Sequence, residues 1–168
     1  AAVALIEGIP ERYYPTMLAR MRGKLGLVTA QEGDQALVDA LFAAMEGQGI
    51  DFTGFFRGLT GEVAGDAAID PATPDLAAWL DRWRARLPGD RAAAEQRVAA
   101  MQAANPAVIP RNHLVETALN DAVERGDFSG FDALLAEVGD PFRARGGDDR
   151  FTLPPPADAP PHVTFCGT

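Results

Sequence analysis

Apolar residues recur every three to four positions through most of the chain, and the runs are punctuated by residues that cap or stop helices. Leu37, Val38, Leu41 and Met45 fall on one face of a helical run, while Asp34, Asp39 and Glu46 mostly face elsewhere. Thr29-Ala30-Gln31-Glu32 has the spacing of a capping box ahead of that run, and Gly47 and Gly49 follow it as stops. Asp51 to Leu59 reads as a short aromatic-rich helix, and the Gly- and Ala-rich stretch from Thr60 to Thr73 reads as a loop. Thr73-Pro74 is an N-cap followed by a first-turn proline. Leu76, Trp79, Leu80, Trp83 and Leu87 then form a broad apolar stripe.

Pro88-Gly89 breaks that helix, Asp90 is placed to cap an Ala-rich one reaching Ala104, and Asn105-Pro106 stops it. A further helix is expected from Arg111 to Arg125, with Leu114, Val115, Ala118, Leu119 and Ala122 inward. Gly126-Asp127 separates it from a last helix carrying Phe128, Phe131, Leu134, Leu135 and Val138. Arg143 to Arg150 is charged and Gly-rich, and Leu153 to Pro161 is proline-rich and extended. No period-2 run and no repeat interrupts this pattern. The expectation is an all-α, compact multi-helix domain of about six or seven helices over residues 1–142, with an extended proline-rich tail over 143–168. The expected core includes Leu37, Leu41, Phe55, Leu76, Trp79, Leu80, Trp83, Leu114, Leu119, Phe131 and Leu134.

Composition narrows the classes. A chain of 168 residues is long enough to bury a core without a disulfide or metal. Its net charge of −9 argues against nucleic acid as a partner, since phosphate binding needs clustered Lys and Arg. No apolar stretch approaches the roughly 20 residues of a membrane helix. The apolar start, Ala1 to Ile6, lacks the basic region and cleavage motif of a signal peptide, so a cytoplasmic location and no membrane partner are expected. The absence of an initiator Met points to a fragment.

Candidate chemistry is sparse. Asp51 to Glu62 has the length of an EF-hand loop, but Phe56 stands where that loop needs Gly. Asp51-Phe52-Thr53-Gly54 carries an extra residue relative to a kinase Asp-Phe-Gly. His113 and His162 each lack a second ligand at metal spacing. There is no Gly-x-Ser-x-Gly elbow and no P-loop. The residues thus name no catalytic, cofactor-binding or metal site. The single cysteine, Cys166, sits on the proline-rich arm, either as an inert tail thiol or as one carried to a partner.

Several segments resemble the C-terminal region of the selenoprotein O family. They are Met21-Arg22-Gly23-Lys24-Leu25-Gly26-Leu27, Asp51 to Leu59, Asn105-Pro106-Ala107-Val108-Ile109-Pro110-Arg111-Asn112-His113-Leu114, Ala122 to Phe128 and Asp140-Pro141-Phe142. Phe151-Thr152-Leu153-Pro154-Pro155-Pro156 and Cys166 complete the series, which is specific through its order and spacing. The resemblance implies a bacterial protein adenylyltransferase that transfers AMP from ATP to protein hydroxyls with magnesium, on a kinase-like fold. It implies that the nucleotide and metal ligands lie in an N-terminal kinase-like part without counterpart here. That part and the protein substrates are the implied partners.

The family places selenocysteine or cysteine near its C-terminus, which implies redox pairing of Cys166 with the kinase-like part. The family's usual Cys-Ser-Ser ending is here Cys166-Gly167-Thr168. A freestanding helical interaction module without enzymatic activity is the alternative from another class. A helical extension of this kind should expose an interdomain face, for which Phe52, Phe55, Phe56 and Val108-Ile109 are the candidates.

Overall fold

The computed structural model describes residues 9–87, 89, 91–143, 150–156 and 158–159. Among them are seven helices and no strand. They are α1 (Ile9–Lys24), α2 (Asp34–Met45), α3 (Phe52–Ala64), α4 (Pro74–Arg86), α5 (Arg91–Ala104), α6 (Asn112–Arg125) and α7 (Ser129–Val138). The all-α expectation holds. The chain divides into two compact units, residues 1–105 and 106–168.

In the first unit, α1 packs on α2 and α5, α2 on α4, and α3 on α5. The core is Leu25 and Leu27 after α1, Leu37, Val38 and Leu41 of α2, Phe55, Phe56 and Leu59 of α3, Leu76, Trp79, Leu80 and Trp83 of α4, and Met101 of α5. The start of α4 follows the sequence reading: Thr73 Oγ1 accepts the Leu76 amide at 3.2 Å, and Pro74 opens the helix. Leu76, Trp79, Leu80 and Trp83 of its apolar stripe are buried, and Leu87, just past the helix end, is half-buried. The two indoles stack at 6.1 Å between centroids and 9° between planes. Each N–H donates to a backbone carbonyl, Trp79 to Leu37 at 2.8 Å and Trp83 to Leu25 at 2.9 Å.

Two local readings are corrected. The Thr29–Glu32 capping box does not form; α2 starts at Asp34 behind Gly33, which has φ +93° and caps with no side chain. The Gln31 amide, an orphan donor in that turn, goes to the Asp34 carboxylate at 2.9 Å instead. The expected loop from Thr60 begins only after Ala64, because Thr60 is buried and its hydroxyl bonds back to Phe56 O at 2.9 Å. Gly65, at φ +87°, ends α3.

Gly26 is where the backbone most needs a missing side chain. It has φ +69°, and a Cβ there would lie 2.6 Å from Met101 Sδ and 2.7 Å from Arg97 Cγ and Cδ. Met101 and Arg97 are both buried and have nowhere to swing. Gly33 also has positive φ but faces open space. Gly33→Ala should therefore cost only the left-handed backbone strain of about 1–2 kcal/mol. Gly26→Ala should add overpacking of about 1–3 kcal/mol to that strain. Urea midpoints of the two variants at equal m-value measure the difference.

The second unit is the helix pair α6 and α7 with the segments flanking it. The pair approaches closely at Gly130, whose added Cβ would sit 3.8 Å from Ala118. Gly126, at φ +66°, ends α6 as its position in the sequence predicts. The expected inward face is only partly buried here. Ala118 and Leu134 are buried and Leu114 is half-buried, but Leu119 and Phe131, both assigned to the core, are exposed. A two-helix layer has one buried seam, and the apolar stripe on these helices is wider than that seam.

Candidate functional site

The segments that carry the family resemblance come together through their polar groups. Lys24 closes α1, Thr60 lies in the third turn of α3, and Asn105 follows α5 directly. The Asn105 side chain is fully buried and reads both ends of Lys24. Its Nδ2 donates to Lys24 O at 2.9 Å, and its Oδ1 accepts from Lys24 Nζ at 3.1 Å. The same Nδ2 lies 3.3 Å from Thr60 Oγ1. The Lys24 ammonium sits over the rings of Phe56, at 4.9 Å from the centroid, and Phe52, at 5.8 Å. Burial pushes the Lys24 amine below its ordinary pKa, since the charged form loses water there.

Asp34 organises a second cluster. Its Oδ2 accepts from Arg22 Nε at 2.6 Å, and its Oδ1 from Arg86 Nε at 3.2 Å. Arg86 Nη2 also donates to Thr29 O. Burial by itself raises the Asp34 pKa. The Gln31 amide, Arg22 and Arg86 outweigh it and hold the carboxyl below its ordinary 3.8. The sequence reading turned Asp34 away from the core, whereas the structure buries it. A lone Asp in an amphipathic pattern carries no signal of burial. The two arginines that neutralise it lie 12 and 52 positions away.

Arg97 is a fully buried cation, at 1% exposure. Its Nε donates to Gly26 O at 3.0 Å, and its Nη2 has no hydrogen-bond partner among the described residues. The turn through Gly26 is therefore held from both sides, by Arg97 on Gly26 O and by Trp83 on Leu25 O.

In the second unit three of the segments are joined. The Ala107 and Val108 amides donate to Pro141 O at 2.7 and 3.3 Å, tying the Asn105–Leu114 segment to Asp140-Pro141-Phe142. Arg111 Nη2 donates to Thr152 O at 2.8 Å, tying it to Phe151-Thr152.

These clusters position backbone and neutralise one another. Among the described residues, no group of three or more His, Cys, Asp or Glu could hold a metal ion. Asp51 caps α3, its Oδ2 accepting the Gly54 amide at 2.7 Å, and the rest of the supposed calcium loop is helix. His162 and Cys166 lie outside the described residues, as does the Asp90 cap. Of the candidate interdomain residues, Phe55, Phe56 and Val108 are buried and drop out. Phe56 lies beneath Lys24, and Phe55 packs 6.0 Å from Trp79. Phe52, at 43% exposure, is the large aromatic of that set left at the surface. No helix among the described residues is long and apolar enough to cross a membrane.

A chain with this helical architecture and these linked segments matches a known family. The family model described as "Protein adenylyltransferase SelO" covers residues 5–139, and the chain belongs to that family. It is 45% identical over 172 residues to the "Protein nucleotidyltransferase YdiU" of Sphingopyxis alaskensis, covering 100% of this chain and 35% of that protein. The proteins of the same description from Rhizobium leguminosarum and Geobacillus kaustophilus are 44% and 43% identical, again over 99% of this chain and 35% of theirs. The chain thus spans about a third of the length of the curated relatives it matches.

Proposed function

We propose that the chain is the helical C-terminal part of a longer, cytoplasmic protein adenylyltransferase. The whole protein would transfer AMP from ATP to Ser, Thr or Tyr hydroxyls of other proteins. Residues 1–142 would form the helical domain that supports the kinase-like core, and 143–168 an extended tail. The observation that carries the reading is that Lys24, Phe56 and Asn105, drawn from three separate family segments, meet in one half-buried network. The Lys24 ammonium and the Asn105 amide in this network are spent on holding one another and the backbone, which supports a scaffolding role for the chain. ATP and magnesium belong to the kinase-like part in this reading.

The test is direct. Calorimetric titration of this chain with Mg-ATP should give no saturable heat at micromolar nucleotide, and labelled ATP should leave no AMP on a test protein. The longer polypeptide should bind Mg-ATP saturably and leave AMP on the test protein. Stoichiometric binding by this chain alone would overturn the assignment. A reading frame with no kinase-like sequence upstream would leave the freestanding interaction module in its place.

Cys166 is proposed as the redox-regulatory residue of that protein. Its thiol and one in the kinase-like part would give up two electrons and two protons to a disulfide-class oxidant and join as a disulfide. Closing so long a loop would restrain the catalytic part. If Cys166 stays a free thiol under oxidising conditions, and Cys166→Ser leaves reductant sensitivity unchanged, the role is wrong.

A further inference from the structure

The helix pair of the second unit leaves an apolar groove open. Val115 and Leu119 of α6 form one wall, Phe131, Leu135 and Val138 of α7 the other, and Ala118 the floor. Leu119 is 45% exposed, Phe131 42% and Leu135 56%. Scattered apolar residues at a surface are ordinary, but a continuous groove with walls of Leu, Val and Phe marks an interaction site. The groove lies between two helices of similar length, the shape that accepts one face of a third helix.

We infer that this groove is the seat of an apolar helix face from the rest of the same polypeptide. The inference rests on the reading that the chain is one part of a longer protein, and two observations select this occupant. Curated relatives carry this region as 35% of their length, leaving roughly two thirds of a polypeptide tethered to it. A tethered surface meets the groove at an effective concentration of order millimolar, which a free partner does not match. Charge also disfavours a second copy. The chain as a whole has a net charge of −9. Two copies would repel each other through that charge, whereas an occupant with neutral or basic margins would not.

The experiment uses the longer polypeptide with a photo-crosslinking residue in place of Phe131 or, separately, Leu135. Irradiation and peptide mapping should give cross-links to sequence preceding this chain in the same molecule. Leu119→Asp in the same protein should reduce the cross-link at least tenfold, while Leu119→Met should retain it. Retention in the Met variant distinguishes docking from a general loss of fold. Cross-links confined to residues 9–105, cross-links to an isotope-labelled second copy, or none at all would each overturn the inference. AMP transfer is measured on the same protein. A longer chain that cross-links as expected yet transfers no AMP would refute the proposed activity and leave the docking surface standing.

Discussion

Trp83→Ala is expected to destabilise the first unit by about 3–5 kcal/mol, a cost large enough to unfold a marginal domain. Trp83 is fully buried on α4, stacked on Trp79 and surrounded by the helices of the main core. Truncation removes the largest side chain type from that core and leaves a cavity that flanking helices fill only in part. It also removes the donor to Leu25 O, in the turn that Arg97 holds through Gly26 O. Trp83→Phe separates the two effects. It keeps most of the apolar volume but leaves Leu25 O without this donor, for about 1–3 kcal/mol. Urea unfolding followed by the remaining indole, Trp79, measures both variants. If Trp83→Phe matches the wild type, the hydrogen bond contributes nothing and packing alone explains the Ala result.

That core was legible because α4 announces itself at every level. Thr73-Pro74 marks the start, the 3.6-residue spacing of Leu76, Trp79, Leu80 and Trp83 marks the face, and both signals are local. The second unit was misjudged by the same logic. Periodicity at Leu119 and Phe131 reports an apolar stripe, and it cannot say whether the stripe's cover lies within this chain. Leu119→Ala, read as a core truncation from sequence, should accordingly cost no more than about 0.5 kcal/mol in this chain. The polar clusters were illegible for a different reason. Lys24 and Asn105 are 81 residues apart, and Asn105 reads locally as a helix stop before proline, which it also is. Only the order of the family segments hinted that these positions matter, and it gave no hint that they touch.

Asp34→Asn is expected to cost about 3 kcal/mol, the lower end for a broken buried ion pair, because Arg22 and Arg86 keep some contact with water. The neutral amide retains an acceptor oxygen for the Gln31 amide or for one arginine. It cannot neutralise both guanidinium groups, and it places a donor NH2 against one of them. The variant should also change how stability depends on pH. In the wild type the folded-state pKa of Asp34 is held below the ordinary 3.8. Near pH 3.8 and just below, the unfolded chain therefore binds more protons at this position than the folded one. The contribution of Asp34 is complete above the unfolded value and is lost as pH falls through the folded value. Glu62 is likewise lowered, first by the side-chain hydrogen bonds from Arg84, but it is common to both proteins and cancels in their difference. Urea midpoints of wild type and Asp34→Asn, taken from pH 6 down to pH 2, should thus converge only on the acid side of about pH 4. Curves that stay parallel across that range would show that the cluster titrates elsewhere and that Arg22 and Arg86 do not depend on the Asp34 charge.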